Sequence, residues 1–112
     1  MAAAALRVIE PETIDEKPER ALDVAVAKFM AKASGGDCDA LFELGVIYST
    51  GSNGVQVDLV EAHKWFNLAA LGGNDEAKAC RADISDEMTA REIADAQRDA
   101  RDWLSLTARR VA

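Results

Sequence analysis

The stretch YSTGSNGVQVD, residues 48–58, contains glycines at positions 51 and 54. Glycine adopts positive φ without a Cβ penalty, so it is the usual residue where a chain must reverse sharply. Asp58 with Glu61 has the spacing of a capping box, in which two residues satisfy backbone N–H groups at a helix start. We therefore interpret this stretch as the turn between two antiparallel helices.

Apolar residues recur at three- and four-residue steps on both sides of this turn, which is typical of α-helices. The sequences SGGD and GGND provide glycine helix ends, Asp37 is a candidate N-cap, and Thr89 with Glu92 forms a second capping box. No segment shows the alternation of a strand. Helices are expected at about 19–36, 38–50, 58–72, 75–86 and 89–107. The sequence thus predicts an all-α fold.

The sequence also matches itself when it is shifted by about 37 residues. The matching classes are small, aromatic, small, glycine and small. The pairs are Ala25 with Ala62, Phe29 with Phe66, Ala33 with Ala70, Gly36 with Gly73, and Ala40 with Ala77. A period in this range is the signature of a solenoid built from helical hairpins. About five helices would form antiparallel pairs, nested through small side chains.

Residues 40–77, ALFELGVIYSTGSNGVQVDLVEAHKWFNLAALGGNDEA, resemble the Sel1-like repeat, a relative of the tetratricopeptide repeat. The residues that carry the resemblance keep the family's spacing. They are Ala40, Leu44, Gly45, Tyr48, Gly51, Gly54, Val55, Asp58, Ala62, Trp65, Phe66, Ala69, Ala70, Gly73 and Ala77. The resemblance implies one complete repeat at about 38–73, in a helical domain that spans residues 18–108. It also implies that Gly45 permits close helix contact and that Trp65 and Phe66 fill the core.

The flanking helices resemble parts of neighbouring repeats. Residues 19–36 are similar to the second helix of a preceding unit, and residues 74–86 to the first helix of a following one. The latter departs from the family pattern at Arg81, Ala82 and Ser85, where leucine, glycine and tyrosine would stand. The array is therefore expected to end there. The final helix, at about 89–107, is similar to the capping helix that closes such arrays.

The resemblance implies a non-enzymatic adaptor or scaffold that binds a peptide or helix of another protein. First helices line the concave face in this family, which makes Asp39, Glu43, Ile47 and Thr50 candidate partner-binding residues. The alternative for the two carboxylates is that they are only solvated charges. The alternative function is a self-associating structural module, a homodimer formed through exposed helix faces.

Bulk properties narrow the partner class. A chain of 112 residues fits one domain, and its formal net charge of −7 argues against nucleic acids and anionic membranes. Residues 1–17 have no sustained period and are expected to form a flexible arm. Because this segment contains acidic residues, it is a poor secretion signal, and we expect a cytoplasmic protein. Proteins with a single repeat of this kind are common in bacteria, so a bacterial source is expected. Cys38 and Cys80 would then be reduced, and we expect both to be buried and to pack as small apolar residues.

No residue set points to catalysis, a metal or a cofactor. His63 is the only histidine and is expected at the exposed edge of its helix, with no second ligand at metal spacing. The glycine pair at 51 and 54 lacks the lysine and the preceding strand of a phosphate-binding loop. Arg98 and Asp102 are expected to pair across one turn of a solvated face. We therefore predict that the chain is not an enzyme.

Overall fold

The computed structural model describes residues 18–111, with side chains described for residues 24–108. The predicted arm at 1–17 lies outside this part of the chain. The helices are α1 (Pro18–Ser34), α2 (Cys38–Thr50), α3 (Leu59–Leu71), α4 (Asp75–Ser85) and α5 (Ala90–Val111), with a 3-10 turn at Ser52–Gly54. No strand occurs within residues 18–111. The predicted all-α architecture of about five helices is confirmed.

Helix α3 is the centre of the packing. It contacts α2 on one side and both α4 and α5 on others, while α1 packs against α2. Trp65, Phe66 and Leu44 are the largest fully buried side chains. Most of the other core positions are alanines, which let the helices approach closely. The core role predicted for Trp65 and Phe66 is confirmed.

Gly45 allows the closest approach between α2 and α3. A Cβ atom at this position would lie 2.5 Å from the Phe66 ring, closer than a carbon contact permits. The Phe66 ring also packs against Phe42 of α2, with ring centroids 5.6 Å apart. The predicted role of Gly45 in helix contact is confirmed.

The 37-residue repeat is present in the backbone geometry of two turns. Gly36 has φ of 92° and Gly73 has φ of 102°. In each turn this glycine N–H donates to the carbonyl three residues back, at 2.9 Å and 3.0 Å. The next residue, Asp37 or Asn74, donates to the carbonyl five residues back at 3.1 Å and then caps the following helix with its side chain. The internal repeat therefore specifies the same turn twice.

The hairpin turn between α2 and α3 has the backbone that its glycines predict. Gly51 and Gly54 have φ of 76° and 77°, and Asn53 also lies in the left-handed region at 58°. The Asp58 N–H donates to the Tyr48 carbonyl at 2.9 Å, which joins the two ends of the loop. The chain therefore reverses between the two helices of the repeat.

The predicted capping box at the start of α3 is only half formed. Asp58 Oδ1 accepts the Glu61 N–H at 3.1 Å, as expected. The Glu61 carboxylate does not return to Asp58; it accepts the indole N–H of Trp65 at 3.0 Å and pairs with Lys64 at 3.0 Å. The physical reason is that a buried indole N–H needs a partner more than an exposed backbone N–H does. The Asp58 N–H is meanwhile satisfied by the loop.

The first turns of α5 confirm one local prediction and correct another. The capping box is reciprocal: Thr89 N–H donates to Glu92 at 2.9 Å, and Glu92 N–H donates to the Thr89 hydroxyl at 3.1 Å. The predicted pair of Arg98 with Asp102 is wrong, because Arg98 instead binds Asp95 at 3.1 Å. Both carboxylates lie within one turn of Arg98, and spacing alone did not distinguish them.

Candidate functional site

The face of α2 that was predicted to bind a partner is exposed at three of its four positions. Asp39, Glu43 and Thr50 are exposed. Among the described residues neither carboxylate accepts a hydrogen bond or forms an ion pair. The Thr50 hydroxyl donates to the Val46 carbonyl at 2.7 Å. This face therefore offers two free carboxylates, which accept hydrogen bonds and attract cationic groups.

The expectation that Ile47, the fourth position, adds apolar contact on this exposed face is wrong. Its side chain is 3% exposed, so it has almost no surface to offer a partner. Ile47 lies three residues after Leu44, which is fully buried, and so shares the core side of α2. The α2 face is consequently polar, without the apolar contact that Ile47 was expected to add.

His63 is also a correction, because it is buried rather than exposed at a helix edge. It is 3% exposed, and its Nδ1 atom is buried without a hydrogen-bond partner. Burial lowers the pKa of His63 below its ordinary 6.5, and the nearby positive charge of Arg81 lowers it further. Arg81 reaches across from α4 and donates to Asn67, one turn along α3 from His63. Helix α4 therefore covers a side of α3 that the sequence pattern assigned to solvent.

The two cysteines are half-buried and free, where the sequence predicted burial. The Cys38 thiol donates to the Ala69 carbonyl at 3.3 Å, so it links α2 to α3. Burial raises the pKa of the Cys80 thiol, with further contributions from Glu76 and Asp83. A raised pKa keeps the thiol protonated, and a protonated thiol is a poor nucleophile. Among the side chains that the structure describes, no three His, Cys, Asp or Glu residues come together in a group that could hold a metal ion.

Sequence reasoning missed a surface around Trp103 of α5. This half-buried indole stands edge-on to the fully buried Trp65, with centroids 4.8 Å apart and planes at 79°. Trp103 lines two neighbouring depressions. We call them the apolar groove, about 400 Å³, and the acidic groove, about 240 Å³.

The two grooves differ in chemistry. The apolar groove lies between the end of α1 and the C-terminal half of α5 and is floored by Leu41 and Leu68. The acidic groove lies where α5 passes α3 and includes Asp99 and Asp102. The sequence carried one signal for this surface, because Asp99, Asp102 and Leu106 share a stripe of α5 at helical spacing.

The packing of α2 on α3, with the repeated glycine turns, defines an α-hairpin repeat protein. The family model described as the Sel1 repeat matches residues 38–74. This match supports a Sel1-like repeat protein, which confirms the resemblance seen in the sequence. Sel1 repeats are generally protein-interaction modules. No curated protein and no solved structure matches the chain. None of the helices within residues 18–111 has the length and apolarity required to span a bilayer.

Proposed function

We propose that this protein is a non-enzymatic adaptor that binds another protein through the exposed face of α2. The single observation that carries the proposal is the Sel1 repeat at residues 38–74, whose first helix presents Asp39 and Glu43 to solvent without partners in the described chain. Burying an unpaired carboxylate in an interface is costly, so this face favours a partner that brings positive charge. The formal net charge of −7 adds long-range attraction for such a partner.

Glu43 is the sharper probe of this face. Asp39 lies in the first turn of α2, where a carboxylate stabilises a helix through the positive end of its dipole by about 0.3–1 kcal/mol. A substitution at Asp39 would therefore alter helix stability as well as any partner contact. Glu43 lies beyond the first turn, so reversing its charge changes mainly what the surface attracts.

The test is affinity purification of the Glu43→Arg protein from the native cell, followed by mass spectrometry. Glu87→Arg is the matched control, because Glu87 is an exposed carboxylate outside α2. We expect the parent and the control to recover the same partners and Glu43→Arg to lose them, with equal melting temperatures for all three. Equal recovery by Glu43→Arg would contradict the role of this face.

Self-association is the second candidate function, and exposed apolar side chains favour it. Leu71 is 66% exposed and Val24 is 61% exposed, and both would gain from burial against another copy. Sedimentation of the parent and of Leu71→Asp over a range of concentrations tests this. A dimer that Leu71→Asp disrupts is expected if the module self-associates. A monomer at every concentration would dismiss it.

A further inference from the structure

Trp103 packs against a buried tryptophan that has contacts of its own. Its ring packs edge-on against Trp65, whose indole N–H donates to Glu61 at 3.0 Å. Glu61 in turn pairs with Lys64, whose Nζ lies 4.3 Å from the Trp65 ring centroid. A preorganised aromatic side chain loses little conformational entropy on binding, and tryptophan is enriched among residues that dominate binding energy. The contact with Trp65 therefore preorganises the Trp103 indole, which lines both grooves.

The apolar groove selects apolar groups because its own polar groups are already used. The Ser34 hydroxyl donates to the Met30 carbonyl, and the Thr107 hydroxyl donates to the Trp103 carbonyl. The N–H groups of Gly35 and Gly36 bond within the turn that ends α1. Among residues 24–108, whose side chains the structure describes, no charged side chain lines this groove. A ligand that needs these hydrogen-bond donors finds them occupied, whereas an aliphatic or aromatic side chain finds apolar walls.

The acidic groove, which Trp103 also lines, has the opposite preference. Asp99 and Asp102 form no ion pair or hydrogen bond among the described residues, since the neighbouring Arg98 is bound to Asp95. The cation in this groove, Lys64, is engaged by Glu61. The two carboxylates therefore attract an external positive charge.

We propose that the Trp103 surface, formed by the apolar and acidic grooves, binds a basic amphipathic segment of a partner protein. A large apolar side chain of that segment enters the apolar groove, and a lysine or arginine about one helical turn away faces Asp99 and Asp102. Both grooves share the wall formed by Trp103, so one short segment reaches both. This surface lies mainly on α1, α3 and α5, and α2 contributes the buried Leu41 to it. Glu43 lines neither groove, so the proposal does not depend on the role of the exposed α2 face.

The experiment selects binders from a displayed library of random peptides of about 14 residues, roughly four helical turns, against the full chain. We expect selected peptides to carry a large apolar residue within about one turn of a lysine or arginine. On binding, the indole N–H signal of Trp103 should shift in nitrogen–proton correlation spectra, and the Trp103→Phe spectrum assigns that signal. Selected peptides without the apolar–basic pair, or an unshifted Trp103 signal, would overturn the proposal.

Two variants test the two grooves separately. Leu104→Glu places a charge at the rim of the apolar groove, and Asp102→Lys reverses one charge of the acidic groove; both residues are exposed, so the fold is expected to persist. Each variant should weaken binding of the selected peptides about tenfold or more, equivalent to about 1.4 kcal/mol. The matched controls, Val57→Glu and Asp83→Lys, alter exposed residues outside both grooves and should leave affinity unchanged.

Other outcomes are equally decisive. Peptides that bind all four variants with equal affinity, or a library that yields no binder, would refute the surface. Concentration-dependent self-association that Leu104→Glu abolishes would replace the partner segment with a second copy of this chain. Native partners lost with Glu43→Arg but retained by both groove variants, together with no selected binder, would leave the α2 proposal standing and remove this one.

Discussion

Helices α2 and α4 begin in the same way and end differently. They start 37 residues apart after matching glycine turns, and Asp37 and Asn74 cap them with similar backbone angles and a hydrogen bond to the third helical residue. Helix α2 then buries five residues along its length, whereas α4 buries only Ala77. The starts are equivalent and the packing is not.

The difference is explained by the residues that follow the shared start. Where α2 has Leu44 and Gly45, α4 has Arg81 and Ala82. Leu44 fills the core, whereas Arg81 spans the edge of α3 to donate to Asn67, and Ala82 is exposed. A turn is thus specified by a few local residues, while the depth at which a helix is buried depends on side chains one and two turns further along.

The largest expected effect tests the core that α2 shares with α3. Trp65→Ala and Phe66→Ala should each lower the free energy of unfolding by about 3–5 kcal/mol, because both side chains are fully buried. A small domain has only about 5–15 kcal/mol in total, so either variant should be unfolded or nearly so in a thermal melt. Leu71→Ala is the control at an exposed position of the same helix. A melting temperature within a few degrees of the parent for Trp65→Ala would contradict this packing role.

The next prediction compares glycine with alanine at two equivalent positions, 45 in α2 and 82 in α4. Gly45→Ala should destabilise by about 1–3 kcal/mol, because the added methyl would overlap the Phe66 ring. Ala82→Gly should also destabilise, by about 1 kcal/mol, because glycine is the poorer helix former at an exposed site. Alanine is thus unfavourable at position 45 and favourable at position 82. Urea denaturation of both variants measures the two signs, and a stabilising Gly45→Ala would show that α2 and α3 do not approach as described.

The two N-caps test whether the shared starts are energetically equivalent. Asp37→Ala and Asn74→Ala should each cost about 1 kcal/mol. The Asp37 carboxylate accepts the N–H groups of Asp39 and Ala40, and the Asn74 side chain accepts the N–H of Ala77. Similar values from urea denaturation would show that the turns are local units, independent of how deeply the next helix is buried. A large cost at Asp37 with none at Asn74 would instead tie cap strength to burial.

The smallest expected effect is on the pH dependence of stability, which depends on the burial of His63 beneath α4. The lowered pKa means that, as pH falls below the unfolded-state value of 6.5, the unfolded chain binds a proton that the folded chain does not. Stability is therefore retained above pH 6.5 and falls as the pH drops toward the lowered pKa. The melting temperature of the parent should decline from about pH 7.5 to about pH 5.5 more steeply than that of His63→Leu. Identical slopes would show that α4 leaves His63 accessible to protons.

The sequence predicted the secondary structure closely because its signals are local. Glycine pairs, capping residues and helical periodicity each act within a few residues. The helix ends fall within about two residues of the expected positions, except that α5 continues to Val111, beyond the expected end at about 107. The same reasoning failed for Ile47, His63 and the Arg98 pair. Each failure depended on a neighbouring element or on a choice between equally spaced partners, which a one-dimensional pattern does not encode.

By itself, the sequence determined that the chain forms short helices joined by glycine turns and that residues 38–74 follow the Sel1 pattern. Glycine conformation, helix capping and apolar spacing depend on residues close together in the chain, so they can be predicted from the sequence. Only the tertiary structure decided that α4 covers His63, that Glu61 accepts the indole N–H of Trp65 and that Trp103 lines two grooves. These features depend on which helix faces meet, and that is fixed by packing between residues far apart in the chain.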